Sequence, residues 1–231
     1  MAADHKPLGN EITIGGDLVG YHVGSGEKAV IVCYEVFGMN EGRLKLICDQ
    51  LAHAGFQVLM PDFERNDPFD GNWPNFNAWL LKTPWSKVHD DLVTKVLPFL
   101  KGHGAKTFGI LGFCWGNWVV FHASGEISEI KAGASAHPSA VRICQTFEEN
   151  LDQIVDKIHI PNLVLSAVND PESVKPGGVY SEKLSKVGGE IFEYKDQNHG
   201  WVTRGDLNDP QVEAAVKDST QKIISFFTKH I

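Results

Sequence analysis

The sequence predicts an α/β fold in which helices flank a mostly parallel central sheet. Short apolar runs alternate along the chain with longer segments that carry apolar residues at helical spacing. Most of the short runs are apolar on both faces, which is typical of parallel strands covered by helices on each side. The length of 231 residues, 42% of them hydrophobic, suits one domain with a full core. We therefore expect a single domain over residues 1–231.

The predicted elements follow one another in a regular order. The segment ITIGGDLVGYHV (12–23) is predicted to form an antiparallel hairpin at one edge of the sheet. The β-rich runs that follow are predicted to be strands, at 29–34, 56–60, 107–113, 130–136, 162–168 and 190–194. Apolar residues at i, i+3, i+4 spacing predict crossover helices over 41–55, 86–104 and 209–231.

One segment, 64–85, interrupts this alternation. It reads ERNDPFDGNWPNFNAWLLKTPW and is rich in Trp, Pro, Asn and Asp. We expect a long, lid-like loop with a short helix across the carboxyl ends of the strands, where ligands bind in open α/β sheets. Its aromatic residues indicate either a flat, partly unsaturated ligand or ordinary packing; they are Trp73, Phe76, Trp79 and Trp85, together with Trp201.

The stretch LGFCWGNW (111–118) carries the most specific chemical signal. Its cysteine, Cys114, lies between Gly112 and Gly116 with the spacing of a G-x-S-x-G motif, in which a strand enters a helix through a sharp turn and exposes a nucleophile. The predicted strand before it and a plausible helix over 115–125 provide that context. The competing interpretation is a small buried core residue, which free cysteines usually are.

A thiol nucleophile needs a base and an acid that orients the base. In a hydrolase of this architecture the acid and then the histidine follow the nucleophile along the chain. Asp170 follows the predicted strand NLVLSAV, and His199 follows the next strand, EIFEY, in the required order. Taken separately, Asp170 could be a turn residue before Pro171, and His199 could be a loop histidine.

Five ordered motifs carry a resemblance to a known family. They are YEVFG (34–38), PDF (61–63), GFCWG (112–116), AVND (167–170) and NHGWVTR (198–204). With them the chain resembles the dienelactone hydrolases, also called carboxymethylenebutenolidase-like proteins. The pair His137-Pro138 and the HGW run are similar to the eukaryotic branch. The resemblance implies an α/β-hydrolase fold and a hydrolase of lactones or activated esters that forms a covalent acyl-enzyme.

The resemblance also implies roles for individual residues. It implies a catalytic triad, Cys114, Asp170 and His199. Glu35 would meet the resting thiol and take its proton when substrate binds. The backbone N–H groups of Val36 and Trp115 would form the oxyanion hole, in agreement with their positions after a strand and after the nucleophile.

The chain departs from the bacterial members, which clamp a substrate carboxylate with two arginines. Arg204 matches one of them, and no other arginine aligns with the second, although Arg65 lies in the corresponding segment. Arg204 is thus predicted to contact substrate, to pair with Glu35, or to be an exposed loop charge. His137 is predicted either to approach the site or to be a hydrogen-bonded residue at a strand end, and we favour the latter. Trp201 is a candidate substrate-binding residue.

Other functions fit the sequence less well. Glutamine amidotransferases share a G-x-C-x-G turn but need an H-x-E pair near the end, where this chain has His199-Gly200-Trp201. A redox sensor would need a resolving cysteine, and a glycosidase would need a pair of carboxylates across a cleft. The main alternative is a catalytically silent α/β-hydrolase scaffold that binds a small molecule or a protein partner.

Composition limits the partners. The chain has 21 basic and 29 acidic residues, a formal net charge of −8, and no basic patch, so we expect neither nucleic acid nor an anionic membrane as a partner. The polar start, the absence of a long apolar run and only four cysteines lead us to expect a cytoplasmic protein with reduced thiols. We expect no cofactor and no metal, a small-molecule lactone or ester substrate, and a monomer or homodimer.

Overall fold

A computed structural model describes residues 5–231. Its eight strands are β1 (Asn10–Ile14), β2 (Leu18–Val23), β3 (Lys28–Cys33), β4 (Gln57–Pro61), β5 (Thr107–Cys114), β6 (Ile130–Pro138), β7 (Asn162–Ala167) and β8 (Glu190–Tyr194). They form one sheet in the order β1-β2-β4-β3-β5-β6-β7-β8. The strands from β4 to β8 in that order are parallel, whereas β2 is antiparallel to both β1 and β4. The prediction of a mostly parallel sheet is confirmed.

The apolar runs of the sequence become the centre of the sheet. All of β4 and β7, and β3 beyond its first residue, are buried, whereas the edge strand β1 is mostly exposed and β8 is half-buried. A fully buried Val, Leu or Ile in such a strand stabilises the fold by roughly 1.5–3 kcal/mol. This rigid centre fixes the positions of the loops that follow the parallel strands.

Ten α-helices accompany the strands within residues 5–231. They are α1 (Leu44–His53), α2 (Phe76–Leu80), α3 (Trp85–Asp91), α4 (Leu97–Gly102), α5 (Gly116–Glu126), α6 (Ala140–Phe147), α7 (Leu151–Asp156), α8 (Val179–Ser185), α9 (Trp201–Arg204) and α10 (Pro210–His230). A π-helical turn, Leu92–Val96, joins α3 to α4, so the helix predicted over 86–104 is one run with a wider middle turn. The short helices α6 to α9 were absent from the sequence prediction, because each has too few turns to show a period.

The 64–85 segment contains a single 3₁₀ turn, Trp73–Asn75, followed by α2. Its Phe69 N–H donates to the carbonyl of Val36, in the loop after β3, over 2.8 Å. On the other side, Arg142 of α6 donates to the Asn77 side chain over 2.8 Å. The segment therefore lies between the loop that follows β3 and the helix that follows β6. No helix within residues 5–231 has both the length and the apolar character needed to cross a bilayer.

Candidate active site

The site is built around the turn from β5 into α5. Cys114 ends β5 with φ 52°, in the left-handed region that non-glycine residues rarely adopt. A Cβ on Gly112 would collide with the carbonyl of Gly116, and a Cβ on Gly116 would collide with the carbonyl of Cys33 in β3. Both glycines are therefore required by close backbone approach, as the motif predicted. The turn leaves the thiol half-buried rather than enclosed in the core.

The predicted acid and histidine lie next to this turn. His199 Nδ1 is 2.6 Å from Asp170 Oδ1, and the other carboxylate oxygen of Asp170 accepts the N–H of Ala167 over 2.7 Å. The backbone N–H of His199 donates to the Asn169 side chain over 2.7 Å. Because both Asp170 oxygens have partners, the carboxylate is fixed and can hold one orientation of the imidazole.

The ionisation of His199 reflects two opposing influences. Burial alone lowers its pKa, but the hydrogen bonds and negative charges of Asp170 and Cys114 outweigh burial and raise the pKa to about 10. The imidazolium form is therefore favoured when the neighbouring thiol is ionised. Such a pairing stabilises a thiolate, which is the reactive form of cysteine.

Ser139, which no sequence motif indicated, lies close to both the thiol and the imidazole. Its Oγ is 3.4 Å from Cys114 Sγ and 3.4 Å from His199 Nε2. Ser139 is the N-cap residue of α6, yet its side chain accepts no capping hydrogen bond. The buried Asn117 holds the start of α6 in place, because its Oδ1 accepts the N–H of Ala140 over 3.1 Å. The serine after His137-Pro138 was the only signal in the sequence, and a serine before a helix normally indicates a cap.

Glu35 follows β3 and is completely buried. Arg204 Nε lies 3.0 Å from both carboxylate oxygens, and Thr203 Oγ1 also donates to Glu35. The Arg204 guanidinium also stacks over the Phe37 ring at 4.8 Å. Among residues 5–231 no hydrogen bond joins Glu35 to Cys114, so the arrangement observed is the Glu35–Arg204 pair that was one of the three predictions for Arg204.

The two N–H groups expected to form an oxyanion hole are available. Within the described part of the chain, neither the Val36 N–H nor the Trp115 N–H donates to a protein acceptor. Trp115 directly precedes α5, so its N–H belongs to the positive end of that helix. An oxygen with developing negative charge could accept from both groups if a carbonyl were placed against the thiol.

A buried arginine fixes the loop that carries the histidine. Arg43, which precedes α1, donates through its side chain to the carbonyls of Trp201, Val202 and Gly205. The Arg43 N–H also donates to the carbonyl of Thr203 over 2.9 Å. This arginine is therefore committed to the backbone of α9.

Comparisons with known proteins fit this geometry. The model of the dienelactone hydrolase family matches residues 18–231. The chain belongs to the dienelactone hydrolase family. Carboxymethylenebutenolidase homologs of Rattus norvegicus and Homo sapiens are each 29% identical to it over 213 residues, which cover 88% of this chain and 83% of those proteins.

A solved structure supports the fold. A putative dienelactone hydrolase of Klebsiella pneumoniae superposes with a TM-score of 0.74 at 20% identity, covering 96% of this chain and 99% of that one. The α/β-hydrolase fold implied by the five motifs is thus confirmed. The family is one of hydrolases, and the chain has the same architecture as this solved structure.

The arginines of the chain leave little positive charge for a substrate carboxylate. Arg65 binds both oxygens of Asp91 over 2.8 Å and also pairs with Asp17. Arg142 bonds Thr146 and Asn77. Among the four arginines of the sequence, Arg204 is the one whose side chain pairs with a predicted catalytic residue, Glu35, whereas Arg43 binds the carbonyl of Trp201 and its neighbours.

His137 lies closer to the site than the favoured prediction placed it. It is the penultimate residue of β6, with φ 42°, and is fully buried, with its ring 5.0 Å from that of His199. Neither ring nitrogen has a hydrogen-bond partner among residues 5–231. The favoured prediction that the His137 imidazole is hydrogen-bonded is therefore wrong. Burial, with the charges of His199 and Arg204, holds the pKa of His137 well below its usual value. The ring is therefore a neutral packing surface against His199.

The remaining aromatic candidates divide into packed and exposed residues. Trp201 is 3% exposed and packs against Tyr194 and His137. Trp85 stacks on His122 at 4.6 Å, whereas Trp73 in the 64–85 segment is 64% exposed. Trp201 and Trp85 therefore make their contacts mainly inside the protein. Residues 5–231 contain no group of three or more His, Cys, Asp or Glu side chains that could hold a metal ion.

Proposed function

We propose that this protein hydrolyses lactones or activated esters through a covalent acyl-enzyme formed on Cys114. The observation that supports this most strongly is the strained conformation of Cys114, which presents its thiol toward Ser139 and the His199–Asp170 pair. A strained nucleophile turn costs stability, and it is maintained where the surrounding structure fixes it for function. A silent scaffold would gain nothing from that strain.

The first half of the reaction forms the thioester. The thiol proton passes to His199 Nε2, with the Ser139 hydroxyl 3.4 Å from both atoms, and Cys114 Sγ attacks the carbonyl carbon. The carbonyl oxygen becomes negatively charged and accepts hydrogen bonds from the N–H groups of Val36 and Trp115. The carbon–oxygen bond to the alcohol then breaks, and the alcohol oxygen takes the proton from His199. In a lactone that alcohol stays attached as the far end of the acyl chain.

The second half releases the acid. His199, oriented by Asp170, takes a proton from water as the water attacks the thioester carbonyl. The carbon–sulfur bond breaks, the thiol regains its proton, and the product leaves as a carboxylic acid. Neither half of this cycle calls for a metal or an organic cofactor.

Glu35 is a second candidate acceptor for the thiol proton. In the structure its carboxylate is bound by Arg204 and Thr203. To reach Cys114 it would have to exchange these partners when substrate binds. We propose that Arg204 controls this exchange, so that the thiolate forms when substrate is present.

The decisive experiment assays a panel of lactones and aryl esters on the wild type and on Cys114→Ala, with Cys144→Ala as the matched control. Hydrolysis should vanish only in Cys114→Ala, and mass spectrometry should find the acyl group on Cys114 alone. The other three thiols should stay unlabelled, because burial raises the pKa of Cys33, of Cys48 and, to about 12, of Cys144. Undiminished turnover in Cys114→Ala would remove this function.

We further propose that the protein acts on a small molecule in a reducing compartment such as the cytosol. All four cysteines are free, and three of them are buried without a cysteine partner. The net charge of −8 supports a neutral small-molecule substrate over a polyanion.

A further inference from the structure

His137 connects the two halves of the predicted site. Its strand, β6, lies between the nucleophile strand β5 and β7, the strand that Asp170 follows. The His137 ring is 5.8 Å from the ring of Phe113, the residue before Cys114, and 5.0 Å from the ring of His199. One side chain therefore contacts both the nucleophile strand and the predicted catalytic base.

A bulge in β6 places this side chain. In the pairing of β6 with β5, Ala136 and Pro138 each have a partner, whereas His137 between them has none. An extra residue of this kind bends a strand and redirects a side chain, and such bulges are frequent next to active sites. The φ of His137 is 42°, although the proline that follows favours extended backbone at this position. The backbone is thus strained at the residue whose ring contacts His199.

The His137 imidazole is also an unfavourable group for its surroundings. The residue is fully buried, and neither ring nitrogen has a hydrogen-bond partner within residues 5–231. Buried polar atoms without partners destabilise a fold, and protonation would add a second N–H without an acceptor. Histidine is nevertheless the flat side chain that adopts a positive φ most readily. Strain and bare nitrogens at one residue indicate a position that is kept for function rather than for stability.

The ring of His199 has one short hydrogen bond. Its Nδ1 is 2.6 Å from Asp170, whereas its Nε2 is 3.4 Å from Ser139, longer than an ordinary hydrogen bond. The torsion that turns an imidazole has broad energy minima, so a bond at Nδ1 alone leaves the ring free to tilt. The His137 ring meets the His199 ring at an angle of 66° and blocks the tilt in that direction.

We propose that His137 is a positioning residue, which holds the His199 imidazole in the plane that directs Nε2 toward Cys114. The His137 ring is itself held, because Trp201 packs on it at 5.4 Å and Arg43 binds the carbonyl of Trp201. This proposal rests on the proposed hydrolytic function. It adds to that function a residue that acts through the base and does not touch the substrate.

Kinetics with p-nitrophenyl butyrate test the proposal in three variants. His137→Asn tolerates a positive φ but lacks the ring, and its kcat should fall about 10- to 100-fold, because misplacement of a reacting group by about 1 Å has an effect of that size. His137→Phe retains a flat ring, and its kcat should lie closer to the wild type than to His137→Asn. His159→Asn, which replaces an exposed histidine, is the control and should keep the wild-type kcat.

Two kinetic outcomes would overturn the assignment. Each variant is assayed well below its own melting temperature, so that unfolded protein does not contribute to the change in kcat. A folded His137→Asn with the wild-type kcat would mean that His137 only supports the fold. A His137→Phe variant as slow as His137→Asn would mean that contact with a flat ring is not what matters.

A second measurement needs no turnover and separates failure of this proposal from failure of the hydrolytic function. Histidine rings are labelled with ¹³C at Cε1, and the signal of His199 is assigned by its loss in His199→Gln. In His137→Asn this signal should show a lower order parameter or relaxation dispersion, which report ring motion, whereas the wild type and His137→Phe should show a rigid ring. A His199 ring that stays rigid in His137→Asn would overturn the positioning role. If no ester is hydrolysed by the wild type, the proposed function fails and the NMR result still decides whether His137 holds His199.

Discussion

The hydroxyl of Ser139 lies 3.4 Å from the thiol of Cys114 and does not cap the helix that it begins. A serine at an N-cap normally bonds the second or third N–H of the helix, and that bond contributes about 1 kcal/mol. Here the side-chain oxygen lies near the thiol of Cys114 and is also 3.4 Å from His199 Nε2. The start of α6 therefore lacks the stabilisation of a side-chain cap, and Ser139 Oγ instead makes a polar contact with Cys114 Sγ.

We predict that Ser139→Ala lowers kcat by about tenfold or more and changes folding stability little. The hydroxyl lies within reach of both the thiol and the imidazole, and a hydrogen bond worth about 1.4 kcal/mol in the transition state corresponds to a factor of ten in rate. Steady-state kinetics and a thermal melt measure the two effects. Ser128→Ala, in an exposed loop, is the control. A melting temperature that falls with an unchanged kcat would show that Ser139 acts as a cap after all.

For Asp170→Asn we predict a folded protein with kcat lowered by about 10³-fold or more. The amide cannot hold the histidine in the required tautomer, and comparable substitutions in other triads have effects of this size. The pKa of His199 should also fall, because the hydrogen bond that raises it is lost while the burial that lowers it remains. An NMR titration of the imidazole checks this. Asp152→Asn, an exposed acid on α7, should change neither quantity.

The pairing of Glu35 with Arg204 gives a prediction about stability and reactivity together. Arg204→Ala leaves a fully buried carboxylate without its cation and should destabilise the fold by roughly 2–4 kcal/mol, somewhat less than a fully buried pair because Arg204 is a third exposed. The double variant with Glu35→Gln should cost less than the sum of the two single changes. Chemical denaturation of the four proteins measures this coupling.

The same variants test whether Arg204 controls the thiol. If Arg204 holds Glu35 away from Cys114, its removal should speed alkylation of the resting thiol by iodoacetamide, and Glu35→Gln should abolish that increase. If Arg204 instead binds a substrate carboxylate, alkylation stays the same and KM rises only for acidic substrates. The two results lead to different mechanisms for the same residue.

The buried carboxyl of Glu64 leads us to predict an unusual dependence of folding stability on pH. Its pKa is raised in the folded state, so between the ordinary pKa and the raised value the folded protein binds more protons than the unfolded protein. Stability attributable to this group is therefore present at low pH and falls as the pH rises through that interval. Thermal melts of the wild type and Glu64→Gln should differ little below the ordinary pKa, and the variant should become relatively more stable as the pH increases. The opposite trend would mean that Glu64 is ionised and paired.

The parts of the fold that could be predicted are those governed by local pattern. The runs that are apolar on both faces form the buried strands β3, β4 and β7, and the strand predicted over 190–194 is β8 with the same bounds. The glycines beside Cys114 could be interpreted because their spacing is a direct consequence of backbone contact. The position of Cys114 at the end of β5 could be predicted, and so could the order of Asp170 and His199 after it, because each of these residues ends or follows a strand of the same sheet.

The residues whose surroundings escaped prediction depend on distant contacts. A serine before a helix normally indicates a cap, and only the three-dimensional arrangement turns Ser139 toward the thiol. A glutamate in a loop rich in Asp and Asn normally indicates a solvated side chain, and only the packing of Tyr34 and the 64–85 segment buries Glu64. Burial and side-chain contacts are properties of the whole fold, so the surroundings of these two side chains cannot be obtained from local composition.

Arg43 has a consequence for the order in which the protein acquires activity. It joins α1 to the loop after His199 across a separation of 159 residues, measured to the carbonyl of Val202. Contacts this distant in sequence close late, because most of the loop entropy has to be lost before they form. In a refolding experiment, helical circular dichroism should recover first and catalytic turnover afterwards. A chain released from the ribosome would likewise form the turn at Cys114 before the loop of His199 is fixed in place.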